Sequence, residues 1–85
     1  MRLDVGTDLQ AEDEDGLVWA YLDDVPDPAL VTVGALLTAG DERAAAVVQV
    51  VDLLEEPTRT IVRMRVLPGR PDEYAAMLRR AELAT

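Results

Sequence analysis

The chain has no cysteine and no histidine, and it also lacks serine, lysine, asparagine and phenylalanine. Without cysteine there is no disulfide, no thiolate metal site and no thiol redox chemistry. Without His, Ser, Cys or Lys, the side chains that most often act as general bases and nucleophiles are missing, so a non-enzymatic protein is expected. Carboxylate-only chemistry, as in acid-pair glycoside hydrolysis, is the remaining route. The acids here fall in densely charged loops, where solvation keeps them ordinary. Arg2 and Asp4 interrupt the N-terminus and no long apolar run follows, so neither a signal peptide nor a membrane span is expected. A cytoplasmic protein is the default expectation.

Alanine, valine, leucine, aspartate and arginine take the missing residues' places. That bias is what a GC-rich genome imposes, so a high-GC bacterial origin is expected. Half of the composition, 49%, is hydrophobic, enough for a folded core rather than a disordered chain. The 85 residues carry no repeat, low-complexity segment or linker, and read as one small domain over 1–85.

Charge is plentiful but one-sided, with a net of −9. Residues 1–28 hold nine acids against Arg2 alone, whereas residues 29–85 are nearly balanced, with eight acids and seven arginines. Such a first third repels duplex nucleic acid and anionic membranes, both of which need cations on the protein. A cationic protein partner suits it better.

Along the chain, "MRLDVGTDLQ" alternates Met1, Leu3, Val5 and Leu9 against Arg2, Asp4, Asp8 and Gln10, a half-buried strand. Asp15-Gly16 signals a turn, and "LVWAYLDDV" reads as a second strand that could pair with the first as a hairpin. "PDP" at 26–28 ends it. A strand is expected over 30–33, a bend or bulge at Gly34, and a short strand to Ala39. "RTIVRMRVL" alternates Val62, Met64 and Val66 with Arg63 and Arg65, another strand. From Pro71 to near Leu83 the spacing of Tyr74, Met77, Leu78 and Ala81 predicts a helix of about three turns, with Asp72 and Glu73 at its start and Arg79 and Arg80 near its end.

The ambiguous stretch is "DERAAAVVQVVDLLEEP", 41–57. As a helix it would have Asp41 as cap and Pro57 as stop, giving an α+β domain with a second helix at about 41–56. Four valines within five positions favour a strand, with Ala44, Ala46, Val48 and Val50 on one face and Ala45, Val47, Gln49 and Val51 on the other. The resulting expectation is a mainly β fold: a small bent antiparallel sheet or SH3-like/OB-like barrel of five to six short strands with one C-terminal α-helix. A strand apolar on both faces must be covered twice, by the chain's own helix or by a second copy, so a homodimer is an open expectation.

Candidate interaction residues follow from the same pattern. Trp19 and Tyr21 share one strand parity and are flanked by Asp23 and Asp24, an aromatic and acidic surface suited to holding a basic side chain. Against that, a chain without Phe needs bulk, which favours Trp19 as core. Arg63 and Arg65 line one strand face and could bind an anion or an acidic segment, or simply pair with the chain's own acids. The stripe Tyr74, Met77 and Leu78 could dock on the barrel or close a dimer. "EDED" at 12–15 has oxygens but lacks the ligand spacing of a calcium loop, so no metal and no cofactor are expected. The composition therefore points to a protein-interaction domain, self-associating or binding a basic partner. Two alternatives are an acidic regulator occupying the cationic groove of a nucleic-acid-binding protein, and a carboxylate-based metal or ligand site.

Overall fold

The computed structural model describes residues 3–78. Five strands, β1 (Val5–Gly6), β2 (Val18–Tyr21), β3 (Leu36–Gly40), β4 (Ala45–Glu55) and β5 (Thr60–Val66), form one sheet in the order β1-β3-β4-β5-β2. The ambiguous stretch is thus a strand, and at eleven residues the longest one. β3, β4 and β5 run as an antiparallel meander, β2 pairs antiparallel with β5, and β1 lies parallel to β3. The sheet curls until its two edges approach, and the Thr7 hydroxyl, just past β1, donates a 2.8 Å hydrogen bond to the Trp19 carbonyl in β2. The result is a nearly closed small barrel.

Three expectations about the strands are corrected. The first two strands do not form a hairpin, because each pairs with a different, distant strand. The first strand has only two residues, and its register with β3 stops at Gly40, where β3 itself turns. Around residue 30 the chain forms a 3-10 turn, Pro28–Leu30, rather than a strand. Pro28 suits that turn's first position, and the Asp27 carboxylate accepts the Ala29 N–H at 3.2 Å.

The β3–β4 turn shows local sequence at work. Gly40 takes φ +147°, and a Cβ there would collide with the Ala44 carbonyl oxygen. Asp41 then closes the turn: its Oδ1 accepts the N–H groups of Arg43 (2.8 Å) and Ala44 (3.2 Å), while its own N–H donates to the Ala44 carbonyl (2.9 Å). Those two backbone donors hold its carboxyl below the usual range. The residue that would cap a helix instead caps a hairpin, because the same short side chain satisfies either kind of turn.

The barrel interior is filled mainly by valine. Val5, Val18, Val48, Val50 and Val62, with Leu37, Ala39 and the larger Met64, form a fully or nearly fully buried cluster. Burying each such aliphatic side chain contributes roughly 1.5–3 kcal/mol. Val47 is also buried, at 1% exposure, but lies outside that cluster on the opposite face of β4. β4 also contacts the 3-10 turn Pro71–Tyr74, which continues as α-helical backbone over 75–78. The remainder of the expected helix, with Arg79, Arg80 and Ala81, lies outside the described residues.

A β-bulge at Val51 decides which way the distal half of β4 faces. Val50 lies opposite Met64 and Asp52 opposite Arg63, so Val51 has no counterpart on β5. Side-chain parity flips at that point. Before the bulge Ala46, Val48 and Val50 point inward; after it Leu53 shares the face of buried Val62, and Asp52 shares the outer face of Arg63. In a regular strand, with Val51 paired, Asp52 would be turned toward the core.

Candidate interaction surface

The outer face of β4, β5 and β2 carries two cross-strand rows. Asp52, Arg63 and Trp19 make the first, and Leu54, Ile61 and Tyr21 the second. Trp19 is 41% exposed, which corrects the expectation that it fills the core. Its neighbours Val18 and Ala20 take the inward positions, at 0% and 8% exposure, because a narrow barrel lined with valine has room for them and not for an indole. Trp19 meets Tyr21 edge to face, with ring centroids 5.3 Å apart and planes at 78°. The Arg59 guanidinium stacks over the Tyr21 ring, 4.1 Å from its centroid.

Arg63 is the electrostatic centre of the surface. Its Nε donates to Asp52 Oδ1 at 2.7 Å and its Nη2 to Asp52 Oδ2, a two-pronged pair. Its Nη1 donates to Asp15 Oδ2 at 3.0 Å and lies 3.7 Å from Asp13 Oδ2. Asp13 is fixed in turn, because its Oδ1 accepts the N–H groups of Asp15 (2.9 Å) and Leu17 (3.0 Å). The hydrogen bond from Arg63 holds the Asp52 carboxyl below the usual carboxylate range, and the same bond raises the Arg63 guanidinium further above its own. Three carboxylates against one guanidinium leave the cluster negative. Two acids of the "EDED" run are thus spent on Arg63 in this structure.

The remaining candidates are less concentrated. Asp23 and Asp24 lie exposed in the 3-10 turn Leu22–Asp24, which directly follows Tyr21 and contacts β5. Arg65 is exposed on the outer face of β5, opposite Gln49. Tyr74, Met77 and Leu78 belong to the C-terminal helix on β4: the Tyr74 hydroxyl donates to the Pro68 carbonyl at 2.6 Å, Leu78 is half-buried and Met77 stays 52% exposed. The structure thus brings together Trp19, Tyr21 and Arg63, with Asp23 and Asp24 beside them in sequence, and places the helix stripe elsewhere.

Sequence reasoning missed Arg59, Leu54 and Asp52. The signal for Asp52 and Leu54 was hidden by the bulge, since a regular strand would place each on the other face. Arg59 follows the Pro57-Thr58 hairpin tip, where Glu56 N–H donates to the Arg59 carbonyl at 2.8 Å, and only the register of Tyr21 with Ile61 brings it to a ring.

No family model, curated protein or solved structure matches this chain. Among the described residues, no helix is long and apolar enough to cross a membrane.

Proposed function

We propose that the chain is a non-enzymatic protein-interaction domain of the bacterial cytoplasm that binds a basic protein partner through the outer face of β2, β5 and distal β4. The observation that carries this reading is Trp19. The largest side chain of a small domain stands 41% exposed, against a second aromatic ring, within a rim of acids. Exposed aromatics of this kind are the usual anchors of protein interfaces, and a charged rim sets partner choice and encounter rate. The net negative charge that Asp13, Asp15 and Asp52 leave around Arg63, with exposed Asp23 and Asp24 following Tyr21, favours arginine or lysine.

Trp19 is the sole tryptophan, so its fluorescence reports directly on that face. Titration with an arginine-rich synthetic peptide is expected to shift the emission, with affinity falling steeply as salt is raised. An emission unchanged at saturating peptide, or binding indifferent to salt, counts against the proposal.

A second reading is self-association through the C-terminal helix, favoured by Met77, which remains 52% exposed beside half-buried Tyr74 and Leu78. It requires a dimer mass by light scattering, converted to monomer by Met77→Glu. A monomer at all concentrations removes it.

A further inference from the structure

β4 is longer than its neighbour. On one side it pairs with β5 from Val48 to Glu55, whereas β3 covers it only to Gln49, and the last bonds on that side join Val50 to Gly34 and Ala35. From Val51 to Glu55, no described strand pairs with that edge. Glu56 N–H bonds back toward the β5 side, so backbone alternation turns the N–H and C=O groups of Leu53 and Glu55 outward. These groups form a template for one further strand.

The side chains along the edge determine what can use it. Asp52 and Leu54 lie on the outer face, Leu54 is 41% exposed, and exposed Glu56, just past the strand's end, is next in the same alternation, acid–apolar–acid. A second copy pairing about Leu54 would set Asp52 against Glu56 twice, and opposed like charges destabilise a strand pair. An incoming strand with basic–apolar–basic side chains at alternate positions faces both acids and covers Leu54. Its outer side chains would continue the row of Leu54, Ile61 and Tyr21.

We propose that the open edge of β4, residues 51–55, binds an extended segment of a basic partner protein by strand addition, with its backbone hydrogen-bonded to Leu53 and Glu55. This deepens the reading above and rests on its basic-partner chemistry.

The test compares two synthetic peptides of sequence Arg-Thr-Val-Thr-Arg, one unmodified and one N-methylated at alternate residues so that one edge loses its N–H donors while charge is kept. The unmodified peptide is expected to bind about tenfold more tightly, as two lost backbone hydrogen bonds imply. It is also expected to slow amide exchange at Leu53 and Glu55, and Glu56→Arg, an exposed substitution, is expected to weaken it. Equal affinity of the two peptides, with no added protection at Leu53 and Glu55, overturns strand addition while leaving the basic-partner reading in place. If neither peptide binds and Trp19 emission stays unchanged, both fail.

Discussion

Thr7 and Trp19 hold the barrel shut. Thr7 directly follows β1 and Trp19 lies on β2, the two strands at opposite edges of the sheet order, and one side-chain hydroxyl bridges what no described backbone ladder joins, at 2.8 Å to the Trp19 carbonyl. Thr7→Val keeps the shape and removes the donor. The expected loss is about 1 kcal/mol or less, because the bond is solvent-accessible and water can replace it. Urea unfolding measures the loss, and amide exchange in β1 should rise more than in β4. Uniform acceleration across the sheet would contradict a local closing role.

Among the described residues Met64 is the largest fully buried side chain, and it sits where β2, β4 and β5 meet, opposite both Val18 and Val50. Met64→Ala is expected to cost about 2–5 kcal/mol, since valine neighbours cannot collapse into the space left. In a small domain that is a large share of the total stability. A thermal midpoint close to that of the unaltered chain would show that the interior repacks.

The local signals that were legible in sequence are those whose cause is local. Asp15-Gly16 turns as expected, and β5 alternates as read, because turn chemistry and period-two burial are written within a few residues. The face of β2 was not legible. Val18 and Ala20 are as apolar as Trp19 and Tyr21, so either parity could point inward, and the choice belongs to the width of a barrel that no local window contains. Likewise β1 finds its parallel partner across the stretch from Val5 to Ala39. The bulge at Val51 left no mark in a run of valines, yet it alone turns Asp52 toward Arg63.

Gly40 and Gly6 offer a matched contrast. An added Cβ at Gly40 meets the Ala44 backbone, and its φ of +147° is one L-residues rarely adopt, whereas nothing lies within 4 Å of the same atom at Gly6. Gly40→Ala is expected to destabilise by about 1–3 kcal/mol or more, and Gly6→Ala to be close to neutral. Parallel denaturation curves decide, and comparable effects would mean that the β3–β4 turn relaxes freely.

Asp52 makes acid stability testable. Its folded-state pKa is lowered by Arg63, so the pair stabilises the fold above the ordinary carboxylate range. That contribution fades as pH falls through the lowered value, where the folded state also takes up the proton. Denaturation midpoints of the unaltered chain and Asp52→Asn are therefore expected to differ at neutral pH and to converge in acid. A gap that persists at low pH would assign the effect to something other than this carboxylate.

The strand order also carries information about time. β3, β4 and β5 are consecutive and joined by tight turns, so they can zip together on the microsecond scale of hairpins, about 1–10 μs. β1 and β2, earliest in the chain, must wait, because Val5 needs Ala39 and Val18 needs Met64. Closing those long loops comes before any reward from the contacts, and such pairings are slow. The part of the chain made first is thus expected to fold last. Pulse-labelled exchange during refolding should protect Val48 before Ala20. Until β2 arrives, the outer face that bears Trp19 does not exist, so competence to bind would appear only at the final step of folding.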